Sequence, residues 1–286
     1  MPSLEETVER VLACPRCHAR VDVSAGTVRC RDGWCAFRGA VKDGVVVLVE
    51  PDKPSAFDQH HQTMQAGNQG EGVRCLCYEQ QTHFLQPFIR PGSTVLDAGC
   101  GPALPYARHD DVFIIGLDPS YPSVRANRAL DLRIHGTAVS LPLPSRSVDT
   151  IVCLYSVHHM VGQTRGETRS TVANAFAEFG RVIKPEGDIL VFEVSPWWPF
   201  WLTEQMGWNG MRRILGSKLD MYFWRAQALI ELGARTFPHA SLECVPFHAS
   251  LLTAFPPSFR VPWLKVPRFL YPFSPMLYHW NVESVR

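Results

Sequence analysis

The chain has 286 residues, 46% of them hydrophobic and 19% charged, enough to bury one full α/β core with a minor domain beside it. A formal charge of +1 and a pI near 7.6 stand far from the basic balance of a phosphate-tracking protein, so nucleic acid is not the default partner. No run reaches the roughly 18 uninterrupted apolar residues of a membrane span, and the acidic start MPSLEETVERVL lacks the positive charge of a signal peptide, which predicts a cytoplasmic protein.

Residues 1–50 are valine-rich and read as strands and turns around a metal. Cys14 and Cys17 form a CPRC knuckle, and Cys30 and Cys35 return in CRDGWC. The first pair has standard zinc spacing, while the second has four intervening residues in place of two. Four thiolates would close a tetrahedral structural Zn2+ site, the alternative being a metal-free hairpin with free thiols. Nine cysteines in all, an odd number with four clustered here, suit a metal site plus buried thiols and not a disulfide framework. Trp34 and Phe37 read as exposed anchors for a partner.

Residues 51–75 are polar, with Pro51, Pro54, Gly67 and Gly70, and read as a linker. A helix is expected at 78–89. The apolar runs TVLDAG, VFIIGLD, TIVCLYS and DILVFEV then alternate with amphipathic stretches such as ETRSTVANAFAEFGRVIK. This predicts an α/β fold over 76–286, a doubly wound, mostly parallel sheet covered on both faces. From 196 onward come PWWPFW, a helical stretch expected at 203–232, and the end FPPSFRVPWLKVPRFLYPFSPMLYHW. That last region reads as core and lid over the sheet, or as an apolar surface facing substrate or membrane.

The stretch VLDAGCG, 95–101, is a branched apolar strand ending in Asp97 and a glycine turn, which lets backbone approach a ligand at the carboxyl end of a strand. The next strand ends in Asp118, 21 positions after Asp97, where an acid accepts both ribose hydroxyls of an adenosine. Gly99 and Gly101 are followed by Ala103, Leu104 and Pro105 with no third glycine, which argues against NAD.

Four blocks, VLDAGCGPA, VFIIGLDPS, LPLPSRSVDTIVCLYSVHHM and EFGRVIKPEGDILVFEV, lie in this order from Thr94 to Val194. Together they resemble the Rossmann-like (class I) S-adenosylmethionine methyltransferases, especially the ubiquinone and menaquinone methyltransferase group. The resemblance implies that Asp97, Gly99 and Gly101 hold the methionine part of the cofactor and Asp118 its ribose. Cys100, Pro119, Ala138 and Leu154 are expected to join the lining. The family's adenine-binding acid is replaced by Thr137, a neutral acceptor that weakens the contact by about 1 kcal/mol. The ribbon resembles the small zinc proteins that activate tRNA and protein methyltransferases, and also the N-terminal finger of rRNA guanine-N1 methyltransferases.

Methyl transfer from a sulfonium asks chiefly for positioning, and a base matters only for an acceptor that holds its proton. Tyr155, His158 and His159, in LYSVHHM, are the candidates; a histidine here also serves simply to cap a helix or satisfy a loop carbonyl. Residues 1–50 carry seven Lys/Arg against seven Asp/Glu, 51–195 twelve against fifteen, and 196–286 nine against five. Neutral and acidic regions around the site favour a small hydrophobic or aromatic metabolite as methyl acceptor. An rRNA or tRNA base docked through the ribbon is the rival, supported by Arg260, Lys265 and Arg268 interleaved with Trp263 and Tyr271. Thr137, Ala103 and Pro105 motivate a third reading, a non-catalytic binding protein.

Overall fold

The computed structural model describes residues 3–49, 83–216, 219–246 and 273–283. Its apolar runs assemble into one sheet of eleven strands, ordered β1-β2-β3-β4-β7-β6-β5-β8-β9-β11-β10. The strands are Val21–Ser24 (β1), Thr27–Cys30 (β2), Arg38–Lys42 (β3), Val45–Val47 (β4), Thr94–Ala98 (β5), Phe113–Asp118 (β6), Leu132–His135 (β7), Val148–Leu154 (β8), Ile183–Pro196 (β9), Ala240–Pro246 (β10) and Phe273–Val282 (β11). β4 through β9 pair in parallel wherever they meet, and β11 runs antiparallel to both β9 and β10. Near-continuous burial along β5, β6, β8 and β9 matches a parallel sheet covered on both faces.

Five helices are described: Leu4–Val11 (α1), Tyr121–Ala126 (α2), Arg165–Val182 (α3), Trp198–Leu215 (α4) and Ala226–Thr236 (α5). The amphipathic stretch after β8 becomes α3. Thr164 caps it by accepting from the Glu167 N–H, and Val172, Ala175, Phe176, Phe179 and Val182 form its buried face. Each large apolar side chain buried this way contributes about 1.5–3 kcal/mol relative to exposure.

The expected alternation of strands and helices fails twice. Residues 99–112 and 136–147 cross between parallel strands without a helix, because Pro102, Pro105, Pro142 and Pro144 interrupt the backbone donors a helix requires. Of the helix expected at 78–89, residues 83–85 are helical and run into a 3-10 turn, Gln86–Phe88; residues 78–82 lie outside the described residues, as does the expected linker 51–75. The helical stretch expected at 203–232 is two helices, since Gly216, with φ 55°, ends α4. Of the aromatic end, 247–272 lie outside the described residues, and Phe273–Val282 forms β11. Leu277, Tyr278 and Trp280 are buried in β11.

The N-terminal ribbon is sewn into the main sheet. β4 pairs with β7 through Val46↔Ile134 and Val47↔His135, and Leu48 N–H donates to the His135 carbonyl at 3.0 Å. Val8, Leu12, Cys14, Val21, Val28 and Val46 belong to the same apolar cluster as Leu96, Ile115 and Ile134. Phe37, expected as an exposed anchor, is buried with the Arg16 guanidinium over its ring; Trp34 is 97% exposed. No helix among the described residues is long and apolar enough to cross a membrane.

Candidate active site and cysteine cluster

β5 and β6 end side by side and bring the buried carboxyls of Asp97 and Asp118 close enough for each charge to be felt by the other. Gly99 has φ +83°, and a Cβ there would lie 2.1 Å from Ser156 Oγ, so the close approach of the β5 turn to the end of β8 admits only glycine. Gly101, φ +55°, faces open space. Its N–H donates to Asp118 Oδ2 at 2.8 Å, and the Ser120 N–H donates to Asp118 Oδ1 at 2.8 Å. Asp97 is 1% exposed and accepts from the Tyr106 hydroxyl at 3.0 Å. Burial pushes its carboxyl up to about 7, with the Asp118 charge adding to the rise and the Tyr106 bond opposing it. Cys100 is buried and its thiol is pushed well up by burial, so it is packing and not a nucleophile. The other expected lining residues lie at strand ends and in the loops that follow them: Pro119 offers its carbonyl to His135 Nε2 at 3.0 Å, Ala138 is buried, Thr137 Oγ1 accepts from the Val139 N–H at 3.4 Å, and Leu154 ends β8 half-buried.

The end of β8 carries the three expected catalytic side chains. Tyr155 sits in the left-handed region, φ +49°, which turns the chain sharply toward His158 and His159. His158 Nδ1 lies 2.6 Å from Oε1 of Glu193, a fully buried acid on β9 whose Oε2 accepts the His158 backbone N–H at 3.0 Å. A carboxylate only accepts, so it fixes the ring proton on Nδ1 and leaves the Nε2 lone pair available. His159 Nδ1 lies 3.1 Å from the Asp220 carbonyl. The two imidazoles lie 4.2 Å apart, and Phe223 stacks on His158 at 5.5 Å.

Helix α4 roofs this end of the sheet in an unusual sense. It turns Trp198, Met206 and Ile214 outward and buries Glu204, Trp208 and Arg212 at one helical period. Phe200 meets Phe223 edge-on at 6.1 Å, and both Glu204 oxygens accept the Phe223 N–H, at 3.1 and 3.2 Å. Burial pushes Glu204 up to about 7.

At the far edge of the sheet, the sulfurs of Cys14, Cys17, Cys30 and Cys35 all lie within 4.8 Å of one another. Cys14 and Cys35 are 3.6 Å apart and Cys17 and Cys30 3.4 Å. A tetrahedron with Zn–S bonds of about 2.3 Å has edges of about 3.8 Å, so the donor set suits zinc in number, chemistry and spacing.

Residues 96–191 match the family model described as a methyltransferase domain. The likeness to a methyltransferase domain thus covers about a third of the chain, from β5 into β9. A tRNA (carboxymethyluridine(34)-5-O)-methyltransferase of Arabidopsis thaliana is 29% identical over 160 residues, covering 54% of this chain and 36% of that protein. The 27-O-demethylrifamycin SV methyltransferase of Amycolatopsis mediterranei strain S699 is 37% identical over 84 residues, 25% of this chain and 31% of that protein. The chain thus spans about a third of the length of these two curated relatives. Among solved structures, the (4+2)-cyclase SpnF superposes with a TM-score of 0.56 at 16% identity, over 78% of this chain and 93% of that one, a likeness of fold alone. Two polar side chains beside the candidate site have no strong signal in the sequence. Tyr106 sits in a helix-free loop with no periodicity to mark it, and Glu193 sits inside the run DILVFEV, where an acid between Phe192 and Val194 is the available signal.

Proposed function

We propose that the chain transfers a methyl group from S-adenosylmethionine to a small aromatic or hydrophobic acceptor at the carboxyl ends of β5, β6 and β8. One observation carries this reading: an open glycine turn flanked by two buried carboxyls adjoins the stacked rings of His158 and Phe223. The cofactor, when bound, supplies a methyl group already activated on a sulfonium. Asp118, at the end of β6 with its two oxygens accepting from Gly101 and Ser120, takes the ribose hydroxyls. Asp97 and the turn Gly99–Gly101 take the methionine end, while Thr137 and Ala138 border the adenine. Cys100, Pro119 and Leu154 shape the wall between. His158, held through Nδ1 by Glu193, presents Nε2 to the acceptor and removes its proton; Tyr155 and His159 position the loop. A Zn2+ ion on Cys14, Cys17, Cys30 and Cys35 braces the ribbon.

Asp97 gives this assignment a pH signature. Its carboxyl, raised to about 7, becomes the better partner for a cationic ligand once ionised. Affinity for S-adenosylmethionine therefore rises with pH through about 7 and weakens by up to about tenfold per unit below it. Calorimetry across that range should show the slope in the native chain and a flatter profile in Asp97→Asn. Equal slopes would remove Asp97 from the cofactor contact.

A second reading, methylation of an RNA base, draws on the name of the Arabidopsis relative. Labelled methyl transfer into cell extract, before and after ribonuclease and across salt, separates the two. The small-molecule reading expects the label in a ribonuclease-resistant fraction at all salt concentrations. An acceptor destroyed by ribonuclease, with transfer falling steeply as salt rises, would put RNA in its place.

A further inference from the structure

The cysteine knuckle and the cofactor cleft meet at a loop that has no helix or strand of its own. Pro15 lies between the ligand candidates Cys14 and Cys17, and its carbonyl accepts the Ser140 hydroxyl. One residue before the knuckle, the Ala13 N–H donates to the Pro142 carbonyl at 2.9 Å. On its other side the same loop is pinned by α3: Glu178 accepts the Leu141 N–H at 2.7 Å, and Arg181 donates to the carbonyls of Leu143 at 2.7 Å and Leu141 at 3.0 Å. Thr137 and Ala138, the adenine-bordering pair, open this loop.

A second contact reaches the ribose side. β4 rides on β7, whose His135 ring nitrogen lies 3.0 Å from the carbonyl of Pro119, next to Asp118. Asp43, in the β3–β4 turn, accepts the Tyr121 hydroxyl at 3.1 Å, one residue past Ser120. The ribbon therefore contacts the 137–143 loop on one side of the proposed cofactor site and Tyr121, just past Asp118, on the other.

We propose that metal occupancy of the Cys14–Cys17–Cys30–Cys35 cluster is coupled to S-adenosylmethionine binding, through the contact of the Cys14–Cys17 knuckle with the 137–143 loop. This rests on the cofactor and zinc assignments above. Without a cation the knuckle is closed by backbone bonds such as Cys14 N–H to the Ala19 carbonyl at 2.7 Å and His18 N–H to the Cys14 carbonyl at 2.9 Å, which are far weaker than a tetrathiolate metal site, and structural zinc sites are commonly ordered only when loaded. A released knuckle frees Pro15 and Ala13, and the adenine wall loses the pins on its outer side. Coupling of this kind is reciprocal: whatever factor zinc adds to cofactor affinity, the cofactor adds to zinc affinity.

The test uses the full chain, zinc-loaded and chelator-stripped, with S-adenosylmethionine titrated by calorimetry and zinc affinity measured by competition with a chromophoric chelator. The stripped chain should bind the cofactor about tenfold more weakly or worse, with restoration by zinc, and the cofactor should tighten zinc by the matching factor. Ser140→Ala keeps every thiol, so it should retain zinc while its loaded form binds the cofactor more weakly and its coupling factor drops. A stripped chain that remains folded by circular dichroism and binds the cofactor unchanged overturns the coupling. Should stripping unfold the chain, the loaded Ser140→Ala protein decides, and unchanged affinity there overturns the proposal. A loaded native chain that binds no S-adenosylmethionine removes the cofactor reading and the coupling together, an outcome distinct from binding that ignores zinc.

Discussion

Cys14→Ser should lower the stability of the whole chain and not melt the ribbon alone. The cysteine spacing by itself predicts an independent appendage, whose loss leaves the catalytic sheet intact. The described contacts predict otherwise, because Val8, Leu12, Cys14, Val21, Val28 and Val46 share one apolar cluster with Leu96, Ile115 and Ile134. Structural zinc is worth about 10–16 kcal/mol of apparent binding energy at neutral pH, and a site reduced to three thiolates forfeits a large part of it. That part is comparable with the roughly 5–15 kcal/mol of net stability typical of a domain. Opening the ribbon also strips β4 from β7, leaving a parallel edge strand unpaired. Denaturant unfolding followed by far-ultraviolet dichroism and tryptophan fluorescence should give one transition in the native chain and a much earlier one in Cys14→Ser, with zinc lost. Two separated transitions, the later at the native midpoint, would make the ribbon an independent unit after all.

How much of this was readable beforehand depends on whether the signal was local. The four cysteines declare themselves by spacing, and their sulfurs do converge within 4.8 Å. The strands β5, β6, β8 and the second half of β9 are mostly branched apolar residues buried on both faces, so their existence and parallel pairing are legible in the sequence. The alignment of Asp97 with Asp118 at the strand ends likewise follows from strand–turn order. What was not legible depends on distant pairing. Nothing in VKDGVVVLV says that Val46 and Val47 lie against Ile134 and His135, because any exposed edge would satisfy them. His158 and His159 are adjacent and chemically identical in the sequence. Only the position of Glu193, 35 residues on, pairs one with a buried acid and leaves the other on a carbonyl. The roof was misread as one long helix because its apolar content runs on past Gly216, while the break there is a backbone event.

Asp118→Ala should weaken S-adenosylmethionine binding by about 2–4 kcal/mol, the cost of two charge-assisted hydrogen bonds from ribose hydroxyls. The carboxylate also organises the cleft, since its two oxygens accept the N–H groups of Gly101 and Ser120, each at 2.8 Å. Alanine leaves both donors without that acceptor, so some of the loss comes from a loosened glycine turn rather than from the ribose contact. Asp118→Asn distinguishes the two contributions only in part. Its amide offers one acceptor oxygen, and whichever way it turns, its NH2 opposes one of the two backbone N–H groups. The asparagine variant should therefore bind more weakly than the native chain, despite its nearly identical shape. Thermal melts on the same samples report the cost of the turn itself, which the calorimetric loss should exceed if the ribose contact is real. A loss of affinity no larger than the loss of stability would leave Asp118 as a purely structural brace for Gly101. The ribose would then need another partner at the end of β6, and unchanged affinity in the alanine variant would remove the assignment outright.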